Sequence, residues 1–203
     1  MRVPQGEFEL ARYPARADET LRAWDAADEF LLRHLTSGSG ESANARTEVL
    51  VVNDHWGALA TALAACHPKP KMLSDSYLAH AATRHNLARN AIDVSAVQLL
   101  ASFDPMPASI DVVVLRIPKS LALLEDQLHR IAPHLHAKTV FIAGAMAKQE
   151  TGAAIEARGG KNARVARHDI LTDGVSRWPR IRWAFKSPIG FAEDEPGLLV
   201  GKR

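Results

Sequence analysis

A chain of 203 residues, 47% of them hydrophobic, can build one good core, which excludes a disordered or fibrous protein and makes a single domain the default. A formal net charge of +2 is too small to announce nucleic-acid binding by itself, and the single cysteine, Cys66, excludes an intrachain disulfide and a cysteine-rich zinc site. With no signal-like N-terminal run and no apolar stretch of about 18 residues, the chain is expected in the reducing cytoplasm, away from membranes, with Cys66 in the core.

The alternation of Glu7 to Arg12 predicts a short strand, turned at Pro14. Leu21, Trp24, Ala27, Phe30 or Leu31 and Leu35 then recur at helical spacing, predicting a helix over 19–35. Ser37 to Ala45, rich in Ser and Gly, reads as a flexible connector, so residues 1–48 form a strand-helix extension with its linker. From residue 49 the pattern changes to short apolar strands alternating with amphipathic helices, which is how a parallel sheet with crossover helices is written.

Strands are expected at 49–53, 71–74, 96–100, 111–117 and 139–143, with helices near 57–66, 77–90, 120–131 and 149–158. Later strands are expected at 164–168, 180–186 and 198–201, with antiparallel pairing. Residues 49–203 therefore read as an α/β domain of the class I methyltransferase-like, Rossmann-like type, a mostly parallel sheet with antiparallel C-terminal strands. Other doubly wound proteins fit the first five strands equally well.

In open α/β sheets ligands bind at the carboxyl ends of the strands. There the run Val49 to Leu59 offers Asn53, Asp54 and Gly57, and the next strand offers Asp75. Each has two readings. Asn53 and Asp54 serve either turn chemistry or a cofactor. For Asp75 the readings are a helix cap, by Ser74 or Asp75, or a hold on a ribose hydroxyl pair. One glycine is few for a close backbone approach to a nucleotide, and Trp56 is too bulky for a pyrophosphate turn.

The fourth strand ends Ile117-Pro118-Lys119-Ser120. Methyl transfer to an exocyclic amine calls for an Asn or Asp, two prolines and an aromatic residue here, so that oxygens accept from the amine while a ring stacks on the base. Ile117 and Lys119 cannot supply those parts, and no catalytic residue is assigned. Lys119 is a solvated charge or a phosphate contact. Among nine histidines, His129, His134 and His136 cluster without metal-site spacing, and no metal is expected.

Positive charge gathers late, with eight Lys and Arg against two Asp over 158–186, whereas residues 1–48 carry six Arg against nine acids. Strand alternation at 180–186 puts Ile181, Trp183 and Phe185 on one face and Arg180, Arg182 and Lys186 on the other. With Arg177 and Trp178 just before, this is either an ordinary solvated face or an RNA-binding one.

Ala23-Trp24-Asp25-Ala26-Ala27-Asp28-Glu29-Phe30, Val49 to Asp54 with Gly57-Ala58-Leu59, Ser74-Asp75-Ser76-Tyr77 with Asn86-Leu87 and Asn90, Pro118 to Glu125, and Ile142 to Ala145 together resemble the N-terminal half of the ribosomal RNA large subunit methyltransferase G family. The resemblance implies a degenerate methyltransferase-like domain that supports recognition of rRNA. It places S-adenosylmethionine and guanine-N2 methyl transfer in a second, C-terminal catalytic domain, with no cofactor bound by this one. The chain then reads as a lone N-terminal domain, whether an excised piece or a shortened gene product. Asn53, Asp54, Gly57 and Asp75 become a vestigial crevice, and Arg177, Arg180, Arg182, Lys186 and Lys119 the RNA contacts. A self-sufficient small methyltransferase and a structural dimerisation module are the alternatives.

Overall fold

A computed structural model describes residues 1–16, 18–38, 47–146 and 181–186. The chain opens with a tight antiparallel pair, β1 (Arg2–Val3) and β2 (Gly6–Glu7). The strand expected over Glu7 to Arg12 does not continue into a sheet. Its backbone is met instead by side chains: Asn90 pairs with the N–H and C=O of Glu9, and Asn86 with those of Ala11.

Helix α1 (Ala26–Gly38) starts later than the spacing predicts. Asp25 accepts from the backbone N–H of Ala27 and Asp28, while Asp28 accepts from the N–H of Asp25, a reciprocal cap that fixes the first turn. Leu21, which matched the helical spacing, lies before the cap and is exposed.

Then follow β3 (Val49–Val52), α2 (Ala58–Ala64), β4 (Lys71–Leu73), α3 (Tyr77–Arg89), β5 (Gln98–Leu100), β6 (Ile110–Arg116), α4 (Leu121–Ile131), β7 (Leu135–Met146) and β8 (Ile181–Lys186). The strands form one sheet in the order β5-β4-β3-β6-β7-β8, every pair parallel. The antiparallel ending expected of the late strands does not hold at β8, which runs parallel to β7 with Phe141 opposite Ile181 and Met146 opposite Lys186. The interval from 147 to 180 is long enough for the crossover that parallel pairing needs. The helix expected at 149–158, the strands at 164–168 and 198–201, and most of the 37–45 connector lie outside the described residues.

Period-2 alternation splits each central strand between two cores. Val49, Val51, Val112 and Val114 face a layer made with Phe8, Leu31, Leu32, Leu59, Leu63 and Leu87. Leu50, Val52, Val113 and Leu115 face the other, built with Leu124, Leu128, Ile131 and Phe141. Cys66, expected in the core, is exposed just past the end of α2.

Candidate functional site at the carboxyl edge of the sheet

The order of strands reverses between β3 and β6, so their carboxyl ends bound the crevice where such sheets bind ligands. Asn53 leaves β3 with a left-handed φ of 60°. Its amide donates to the Arg116 carbonyl at 3.0 Å and exchanges two 2.8 Å hydrogen bonds with Gln127 of α4. Both hydrogen-bonding ends of the Asn53 side chain are thus turned toward the protein.

Asp54 is buried and turns back onto the start of α2. Its oxygens accept from the backbone N–H groups of Gly57 (2.9 Å), Ala58 (3.1 Å) and Ala60 (2.9 Å). Burial pushes its pKa up, opposed by these N–H donors and by the charge of Arg116.

Gly57 holds φ at 77°. A Cβ there would stand 2.5 Å from the Thr83 Cα, so the close contact between this turn and α3 requires glycine. Asp75 is exposed and accepts from the Ser102 N–H at 2.9 Å, which ties the loops after β4 and β5 together. The cap of α3 is neither Ser74 nor Asp75 but Ser76, whose hydroxyl accepts from the Ala79 N–H.

The residue that organises the edge is Arg116, last in β6 and 6% exposed. Its guanidinium makes a two-pronged contact with Asp25, both bonds 2.7 Å, and lies 3.1 Å from Asp28. One cation thus contacts two carboxylates and acts at longer range on a third, that of buried Asp54. Burial works against the Arg116 charge, but Asp25 and its neighbours outweigh that and hold its pKa above the ordinary value.

Burial also pushes Asp25 up, yet Arg116 and the capped N–H groups carry it below the usual carboxylate range. Asp28 goes the other way: burial, then the repulsion of Asp54 and Asp25, outweighs Arg116 and raises it to about 7. At pH below about 7 the cluster thereby sheds one negative charge by holding a proton.

Around this knot His55 and Lys119 are exposed, and Trp56 is half-buried beneath the Arg12 guanidinium. Ser120 caps α4 by accepting from the Leu123 N–H. No group of three or more His, Cys, Asp or Glu arranged for a metal ion occurs among the described residues. His136 instead contacts Asp111 at 3.0 Å. Arg182 and Lys186 belong to β8, whereas Arg177 and Arg180 lie outside the described residues. Among the described residues no helix is long and apolar enough to cross a membrane.

The structure brings Asn53, Asp54 and Gly57 together and leaves Asp75 apart. Arg116, Asp25, Asp28 and Gln127 carry no site assignment from the sequence. Their one signal there is a lone arginine closing the apolar run Val112 to Leu115.

The model of a family described as the RLMG N-terminal domain matches residues 1–157, short of the basic segment 177–186. The ribosomal RNA large subunit methyltransferase G of Streptomyces griseus is 55% identical over 145 residues, covering 71% of this chain and 37% of that protein. The protein of the same name from Cronobacter sakazakii is 45% identical over 140 residues, covering 68% and 35%. The chain thus spans a little over one third of the length of these relatives. Among solved structures, the T. thermophilus 16S rRNA N2 methyltransferase RsmC, in complex with AdoMet and guanosine, superimposes with a TM-score of 0.57 at 20% identity. That likeness covers 70% of this chain and 39% of the other and shows the fold.

Proposed function

The chain belongs to the RLMG N-terminal domain family, and from that premise we propose that it is the non-catalytic, RNA-recognising N-terminal part of an S-adenosylmethionine-dependent 23S rRNA (guanine-N2)-methyltransferase. The observation that carries this reading is the state of the crevice between β3 and β6. The N–H groups that open α2 are already bonded to Asp54, Asn53 is bonded to Gln127 and the Arg116 carbonyl, and Arg116 is bonded to Asp25. A cofactor entering there would break these bonds and leave buried polar groups unpaired, at about 1–3 kcal/mol for each. On this reading the residues present do not fit S-adenosylmethionine.

The cofactor and the methyl transfer belong, on this reading, to a C-terminal catalytic domain. The relatives' greater length supports that, since this chain matches only 37% and 35% of two of them. The recognised partner is rRNA, as the relatives' name indicates. Arg177, Arg180, Arg182, Lys186 and Lys119 are the proposed phosphate contacts, each releasing counterions on binding.

Anisotropy titration of a 23S rRNA fragment across a salt series tests the reading. Affinity that falls steeply with salt, and a shallower slope when these five residues are changed to Ala, is the expected result. An unchanged slope counts against the phosphate contacts, and the absence of RNA affinity counts against the function.

A further inference from the structure

A second basic surface, outside the late segment, lies where the N-terminal extension crosses the carboxyl edge of the sheet. The Arg12 guanidinium sits over the Trp56 ring, 5.2 Å from its centroid, and the Arg22 guanidinium over Trp24 at 5.4 Å. The two pairs are joined, because Arg12 Nε donates to the Arg22 carbonyl at 2.9 Å. The Arg12–Trp56 pair is anchored by Asn86 of α3, which bonds the N–H and C=O of Ala11 and the C=O of Trp56.

Arg22 is exposed, and Arg12, Trp24 and Trp56 are half-buried. Lys119 adds an exposed charge on the same edge, close enough to act on His55 beside Trp56. Among the described residues no ion pair includes Arg12, Arg22 or Lys119. Each acid near in sequence has a partner of its own: Asp25 is bonded to Arg116, Glu19 to the Leu21 N–H, and Glu29 to Arg33 and, at the edge of the surface itself, to the Trp24 indole N–H.

We propose that Arg12, Arg22, Trp24 and Trp56, with Lys119 beside them, form a guanidinium–indole platform that holds unpaired nucleotides of an RNA strand. Guanidinium and indole planes accept a base by stacking whatever its identity, while the unpaired cations meet the phosphates. An acidic peptide would use the charges but not the planes. The proposal rests on the RNA-recognition reading and adds a base-contacting site far in sequence from Arg177 to Lys186.

The test titrates a single-stranded RNA oligonucleotide into the chain and into the Arg12→Ala/Arg22→Ala/Lys119→Ala variant, following intrinsic fluorescence and salt dependence. Trp24→Phe and Trp56→Phe variants assign the signal among the four tryptophans. The platform predicts affinity weaker by roughly tenfold or more in the triple variant. It also predicts a log–log salt slope shallower by about 2, and RNA quenching that shrinks in each Trp→Phe variant. If the triple variant does not fold, Arg22→Ala/Lys119→Ala, at two exposed positions, is read in its place.

Unchanged binding in these variants, with loss on changing Arg177, Arg180, Arg182 and Lys186, overturns the platform and leaves the RNA-recognition reading standing. Equal competition by polyglutamate also overturns it. A parent chain without RNA affinity overturns both.

Discussion

Arg116, at the carboxyl end of β6, and Asp25, which caps α1, are 91 residues apart in sequence and joined by two 2.7 Å hydrogen bonds. The pair fastens the N-terminal extension to the carboxyl edge of the sheet, beside the crevice between β3 and β6. Because Asp28 lies 3.1 Å from the same guanidinium, Arg116 also screens carboxylates from one another.

Removing that cation isolates buried acid. Arg116→Met keeps the apolar stem but leaves Asp28 and Asp54 without their counter-charge, and should lower stability by about 3–5 kcal/mol. Asp25→Asn should cost less, since the Asp25 side chain is 38% exposed and Arg116 keeps Asp28. Urea denaturation checks both, through midpoint shifts at constant m-value.

Asp28 predicts a pH dependence of definite sign. Its pKa rises from 3.8 to about 7 on folding, so between those values the folded state holds a proton that the unfolded state has released. Its stabilising contribution is complete below pH 3.8 and is lost as pH rises through about 7. The slope approaches about 1.4 kcal/mol per pH unit.

Asp25, held below its ordinary value, acts oppositely and loses its contribution in acid. Buried His67 and half-buried His80, whose pKa values burial lowers, lose theirs as pH falls below 6.5. Asp28→Asn removes only the first effect. Stability of parent minus variant should therefore fall from pH 4 to pH 7, and a difference that stays flat contradicts the protonated Asp28.

Gly57→Ala should destabilise by more than about 1 kcal/mol. The new methyl would meet backbone, the Thr83 Cα at 2.5 Å, and would have to hold φ at 77°. Truncating Thr83 should not rescue the variant, because the clash is with a main-chain atom; thermal melts of the single and double variants decide this.

Much of the sheet was legible because its signal is local. The apolar runs at Val49–Val52 and Ile110–Arg116 lie close to their expected limits, and Gly57 and Asp54 were placed at the right turn. The side-chain knot at the carboxyl edge was not legible. Gln127 meets Asn53 across 74 residues, and neither periodicity nor spacing encodes such a meeting.

Two errors have clear causes. Leu21 fell on helical spacing by coincidence, whereas the Asp25–Asp28 cap determines where α1 begins. The direction of β8 depends on its connection rather than on its own alternating residues, which read alike in either orientation.

The central claim is that this crevice is closed by the chain's own side chains. Calorimetric titration of S-adenosylmethionine into the chain tests it most directly. No saturable heat in the micromolar range is the predicted result, for parent and Asp75→Ala alike. Saturable micromolar binding, lost on substituting Asn53 or Asp75, would contradict it and restore the reading of a self-sufficient methyltransferase.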